Sequence, residues 1–173
     1  MRRSDISPFG AVLRGAVAGA VGTIAMDLIW FQRNRREGNR GRFVEWESSA
    51  NVQGWDEAGA PAQVGKRFVE GFLGRKLPDD KARITDVVMH WGTGIAWGAV
   101  FGVVAGSLRS PRMRHGVLFA PAVWAAPYLL LARTGIYKPM SEYDAQTLWK
   151  DFTAHLVYGA GLGWTFRLLS SRN

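Results

Sequence analysis

The sequence predicts an all-α fold: a four-span transmembrane helical bundle with glycine-zipper packing and a short interfacial amphipathic helix. Three observations lead there. Apolar residues gather into four blocks, each near the roughly 20 residues a helix needs to cross about 30 Å of hydrocarbon, although mean hydropathy over the chain is close to zero. Small residues recur at every fourth position in three blocks: Ala11, Gly15, Gly19, Thr23, Asp27; His90, Gly94, Gly98, Gly102, Gly106; and Asp151, His155, Gly159, Gly163, Arg167. Each row carries an ionisable group at an end. A spacing of four traces one helical ridge, and a glycine ridge lets two backbones approach where lipid supplies no hydrophobic drive between helices.

The 173 residues fit one integral membrane domain with spans over 9–31, 86–107, 115–133 and 149–169 and an extramembrane loop over 32–85. The first span is too long for a signal-peptide core and no clear cleavage site follows it, so it is expected to be retained. Next come Arg33, Arg35, Arg36, Arg40 and Arg42, interleaved with glycine and expected as a turn or loop at the head groups. Trp46 and Trp55 suit an interface or packing against the bundle. Over 61–74, Val64, Phe68, Val69, Phe72 and Leu73 share one helical face, with Gln63, Lys66, Arg67 and Glu70 around the rest. Pro61 fits its first turn and Gly74 its stop, so this amphipathic helix should lie on the membrane or cap the bundle.

Pro78-Asp79-Asp80 opens the helix that becomes the second span, since aspartates favour a helix N-terminus. The short turn over 109–112 makes spans two and three antiparallel neighbours. Pro121 and Pro127 should bend the third span. The connection over 134–148 returns to the side of the long loop. The fourth span is the least apolar, but Arg167 lies near enough to its end to snorkel. His90-x-x-x-Gly94-x-x-x-Gly98-x-x-Phe101 recurs as His155-x-x-x-Gly159-x-x-x-Gly163-x-x-Phe166, which reads as a parallel repeat of two hairpins or as coincidence in a glycine-rich chain.

Direction places Asp27, His90 and His155 at one depth, about 6 to 9 Å inside one membrane face at about 1.5 Å per residue. Intramembrane Asp and His usually face a bundle interior or a wet cavity. Together the three form the candidate centre, with Thr93, Tyr158, Arg133 and Tyr143 completing a polar shell. Proton sensing or proton and ion conduction is the leading use, because histidine titrates near neutral pH. A divalent metal or a haem held by His90, His155 and Asp27 is the alternative, although no cofactor is expected. The bland reading is equally open: the histidines lock helix register in a structural or assembly subunit.

Absence of cysteine excludes disulfides, thiolate metal sites and thiol catalysis. The net charge of +8 points to anionic lipid head groups rather than nucleic acid in a chain that lies in the bilayer. Gly92-Thr93-Gly94 and Gly159-Ala160-Gly161 follow no strand and lack the third glycine of a dinucleotide loop, and no hydrolase or metalloprotease motif occurs. No residue is assigned a catalytic role. Self-association through an outward ridge is expected.

Several short segments carry a resemblance: Arg14 to Gly19 opening span one, His90-Trp91 with the glycines behind it, His115 to Leu118, Gly135 to Pro139, and Ala154 to Tyr158. Together they resemble the YagU-like family of small bacterial inner-membrane proteins. The resemblance implies an inner-membrane location and a link to acid tolerance, and offers no catalytic residues to carry over. This chain departs from the family in its first long loop, which is more basic and lacks cysteine. Orientation stays open. Arg2, Arg3, Arg109, Arg112, Arg114 and Arg172 flank one side, and the more numerous cations of 33–83 with Lys138 flank the other, which the positive-inside rule favours as cytoplasmic. The resemblance implies termini inside.

Overall fold

A computed structural model describes residues 6–108 and 110–171. Arg2, Arg3, Arg109 and Arg172, used above for orientation, lie outside the described residues. The helices are α1 (Pro8–Arg36), α2 (Phe43–Glu47), α3 (Ala60–Leu73), α4 (Ala82–Gly106), α5 (Met113–Leu130) and α6 (Ala145–Ser170). No strand occurs among the described residues. A 3₁₀ turn at Asp79–Lys81 leads into α4, as the paired aspartates predict.

α1 starts where Ser7 Oγ accepts from the Gly10 amide at 3.1 Å, with Pro8 in the first turn. It continues through the basic stretch expected as a loop and stops at Arg36. Nothing breaks the helix before Gly38, whose φ is +102°, and the cations Arg33, Arg35 and Arg36 suit the negative end of the helix dipole. Three helical stretches, Pro8–Arg36, Asp79–Gly106 and Met113–Thr134, are long and apolar enough to cross a membrane. Their bulk points outward: Leu13, Val17 and Leu28 on α1, Val100, Val103 and Val104 on α4, and Leu118, Leu129 and Leu130 on α5 are exposed. An apolar exterior over a small-residue interior suits lipid as the solvent.

α1 is the central helix, with α4 on one side and α6 on the other, and α5 lies against the far side of α6. The rows of small residues make these seams. A Cβ added to Gly98 would lie 2.5 Å from the Gly15 carbonyl oxygen and 2.5 Å from Gly19 Cα, so α1 and α4 touch backbone to backbone there. Across α5 and α6, a Cβ on Gly159 would come within 2.8 Å of Ala120 Cβ, and one on Gly163 within 3.0 Å of the Gly116 amide nitrogen. The two rows of the internal echo thus each face the first helix of their own hairpin. Phe101 and Phe166, at equivalent ends of the echo, meet edge to face in the core with ring centroids 5.6 Å apart.

α4 and α5 are not the closely packed neighbours that their short connection predicts. α4 commits its glycine ridge to α1 and α5 commits Gly116 and Ala120 to α6. Among the described residues their contact centres on Phe119, whose ring lies 5.8 Å from Trp97 and 5.4 Å from Phe101. α3 also differs in detail. It rests on α4 through Ala62 and Gly65, where a Cβ on Gly65 would meet Met89 Cγ at 2.6 Å, and it leaves Phe68, Phe72 and Leu73 exposed. Small residues allow the close approach, so the large apolar side chains face outward.

Candidate functional site: a buried carboxylate–imidazole centre

Asp27 lies on the inner ridge of α1, about two turns past Gly19 and on the face that α4 covers, and it is 2 % exposed. His90 Nε2, from the third turn of α4, sits 3.0 and 3.1 Å from the two oxygens of this carboxylate. One imidazole N–H thus serves both oxygens of a carboxylate that has almost no water. The small residues of the row explain the meeting. Gly19, Thr23 and Gly94 bring the backbones together just below, with Thr23 Oγ1 turned back on the Gly19 carbonyl at 3.0 Å.

The third member is Glu47, which no spacing rule connects to Asp27. α2 folds back so that Phe43 meets Phe31 edge-on and Trp46 lies tilted against it, 5.3 and 5.8 Å between centroids, and this brings Glu47 close to Asp27. Ser49 holds the end of α2 in place: with φ at +49° it adopts a left-handed backbone and donates to Asp86 Oδ2 at 2.7 Å. Both Glu47 oxygens are shielded from solvent and have no hydrogen-bond partner among the described residues. Burial first, and the Asp27 carboxylate second, push the Glu47 carboxyl above its ordinary range, while His90 and Trp91 act in the opposite direction. One ligand atom each from Asp27, Glu47 and His90 lie within 4.8 Å of one another, a span that one cation could bridge.

His155 does not join this group. Its Nδ1 lies 2.9 Å from the Asp151 carbonyl oxygen and 3.3 Å from Asp151 Oδ1, one turn earlier on α6. Tyr128 of α5 donates to the other Asp151 oxygen at 2.7 Å. Asp151 therefore gives His155 a carboxylate of its own, and any ligand set drawn from Asp27 and His90 is completed by Glu47. Tyr137, in the α5–α6 connection, meets Tyr128 edge to face, and burial and the nearby Asp151 push its phenol up to about 12.

Both imidazoles nevertheless face one space. A cavity of about 400 Å³ at this end of the bundle is lined by His90, Thr93 and Trp97 of α4, by Asp151, His155 and Tyr158 of α6, and by side chains of α1, α3 and α5. A second recess of about 250 Å³ under α2 is lined by Asp27, Glu47, Asp86 and again His90. His90 is a wall of both. Tyr158, 2 % exposed, donates to the Gly94 carbonyl at 2.7 Å and so ties α6 to α4 behind the centre. Of the expected shell, Thr93 and Tyr158 line the cavity. Tyr143 meets Tyr128 edge to face and accepts from the Lys138 amide, and Arg133 is not among the lining residues. Glu47 and Tyr128 escaped sequence reasoning, because only tertiary folding brings them in. The signal for Asp151 was present, since Asp86 and Asp151 each precede their histidine by one turn and extend the echo.

These features define a class: an all-helical protein with membrane-compatible helices and a buried acid–imidazole pair between them. The chain belongs to DUF6789, a family of unknown function whose pattern matches residues 67–173. That stretch holds His90 and the Asp151–His155 pair but begins after Asp27 and Glu47. No curated protein and no solved structure matches the chain.

Proposed function

We propose that this chain is a four-span protein of the bacterial inner membrane, packed as a glycine zipper, whose Asp27–His90–Glu47 centre passes protons between the recess under α2 and the cavity behind His90. The observation that supports it is the shared wall: Trp30, Pro61 and His90 line both spaces, and of these His90 is the one that titrates, hydrogen-bonded to a buried carboxylate. An imidazole in that place takes a proton on one nitrogen and releases one from the other. His155, backed by Asp151 and Tyr128, is the next acceptor across the cavity. α6 serves as the fourth span in this reading. Its Lys150, Asp151 and His155 lie toward α1 and α5 at one end, and Arg33 of α1 binds the Lys150 carbonyl and Thr153 Oγ1 there.

Arg33, Arg35, Arg36, Arg75 and Lys76 meet anionic head groups in this reading. The glycine rows are already occupied within the chain, so self-association would use other faces. The link to acid tolerance rests on the resemblance to YagU-like proteins alone. The experiment is a pH step across proteoliposomes with a trapped pH dye. The expected result is a response that His90→Gln and Asp27→Asn abolish; a response unchanged in both variants would overturn the proposal in favour of a structural subunit.

A further inference from the structure

The cavity behind His90 is larger than a proton path needs, and at about 400 Å³ it falls in the range of small-molecule sites. Met26, Met89 and Val123 give it an apolar wall, and Trp30, Trp97 and Tyr137 give it flat aromatic surfaces. No Lys or Arg lines it. Its side is closed only lightly, since α4 and α5 meet through Phe119 and scarcely elsewhere. If α4 and α5 both cross the bilayer, that seam opens on lipid.

The polar atoms left over inside are specific. His90 uses Nε2 on Asp27 and His155 uses Nδ1 on Asp151, which leaves Nδ1 of the first and Nε2 of the second without a partner among the described residues. Pro127 has no N–H to give the Val123 carbonyl one turn earlier, and both residues line the cavity. In a membrane interior such groups need an internal partner.

We propose that this cavity binds a membrane-soluble quinone or quinol, which enters from the bilayer through the α4–α5 seam. A flat ring fits between aromatic side chains. A quinol's two hydroxyls, at opposite edges of its ring, match the free ring nitrogens, which accept because each imidazole's N–H already serves Asp27 or the Asp151 carbonyl, and quinone carbonyls accept from the same nitrogens when the imidazoles are protonated. The head is neutral, whereas an anionic head such as a fatty carboxylate would sit beside Asp151 with no cation lining the space. The apolar tail leaves along the seam. Binding alone is proposed, with no electron transfer, and it does not depend on proton passage.

The test titrates the protein in nanodiscs with decylubiquinone and reads tryptophan fluorescence. Saturable quenching at one quinone per chain is expected, weakened in Trp97→Phe. Ala126→Trp, which fills the cavity, should abolish it, whereas Leu118→Trp on the lipid face should not. His155→Phe should weaken binding about tenfold, the scale of one lost hydrogen bond. Circular dichroism and elution volume confirm that each variant is folded. Quenching that never saturates, or that survives Ala126→Trp, would overturn the proposal, and so would displacement of the quinone by dodecanoate or dodecyltrimethylammonium at lower concentration. No pH gradient is applied, so quinone binding with a silent proton response, or the reverse, separates this proposal from the preceding one.

Discussion

Asp27 and His90 meet across the α1–α4 seam with Nε2 within 3.1 Å of both carboxylate oxygens, at a point where Asp27 is 2 % exposed. Sixty-three positions separate them in sequence. The contact therefore reports helix packing as much as chemistry, and a conservative variant separates the two. Asp27→Asn keeps the shape and one acceptor, so thermal unfolding in detergent should show a loss of about 1–3 kcal/mol, while the proteoliposome pH response should disappear. Asp27→Ala should cost more stability than Asp27→Asn, because it also leaves a hole beside the imidazole. Equal stability of all three proteins would remove the pair from the packing account.

Gly98 and Gly92 lie on one helix and should respond in opposite ways. A methyl at Gly98 lies 2.5 Å from the Gly15 carbonyl oxygen and cannot be accommodated without parting α1 from α4. A methyl at Gly92 meets nothing within 4 Å. Gly98→Ala should lower stability by about 1–3 kcal/mol or more, the scale of overpacking, and Gly92→Ala should be neutral or raise it slightly, since alanine favours the helix. Unfolding monitored by circular dichroism would read both. A neutral Gly98→Ala would mean that the glycine row is not the seam.

The bundle was legible in the sequence because its rules are local. A period of four over glycine marks the helix face that packs, and block length marks the helix. The same locality explains the errors. The short α4–α5 connection suggested a packed pair, but a glycine ridge can serve only one neighbour, and α4 gives its ridge to α1. Depth along separate helices correctly placed Asp27 and His90 together. It could not tell that His155 would turn to Asp151 on its own helix, because that choice depends on the rotation of α6. Glu47 was out of reach, since its place is set by Phe31, Phe43 and Trp46 stacking across a loop.

Docking of α2 should depend on pH through Glu47. In the docked state its carboxyl is faced by Asp27 from α1 and by His90 and Asp86 from α4, and burial and the Asp27 charge raise its pKa. A raised folded-state pKa means that the contribution to docking is complete below the ordinary carboxyl value near 4.5 and is lost as pH rises through the raised value. Hydrogen exchange over residues 43–50, corrected for intrinsic rates, should therefore show protection that declines on going from acid toward neutral pH. Glu47→Gln should hold protection constant across that range. Protection that rises with pH in the native chain would reverse the sign of the account.

Metal offers a sharp discrimination at the same centre. Three ligand atoms within 4.8 Å of one another are compatible with a cation, but His90 Nε2 is already in use on Asp27. If the centre works with protons alone, protein stripped with a chelator should give the same pH response and the same unfolding temperature as untreated protein. Elemental analysis showing one metal per chain, lost in Glu47→Gln, would replace proton passage with metal binding.

α3 presents Phe68 and Phe72, 61 and 78 % exposed, with rings 4.7 Å apart, while its opposite face is fixed to α4 by Ala62 and Gly65. Arg67 ties the same helix to the Thr134 carbonyl beyond the end of α5. The helix is thereby held across the mouth of the bundle and cannot rotate to bury those rings. Where α4 enters lipid, the two phenylalanines should lie in the interfacial layer, with the basic residues beside them at the head groups. The absence of cysteine makes this directly measurable: a fluorophore on Phe72→Cys, in nanodiscs containing brominated lipids, should be quenched most by bromines near the glycerol region. The same label on Gly54→Cys, in the loop between α2 and α3, should show little quenching. Equal, weak quenching at both positions would place α3 in water, and the exposed rings would then need a protein partner.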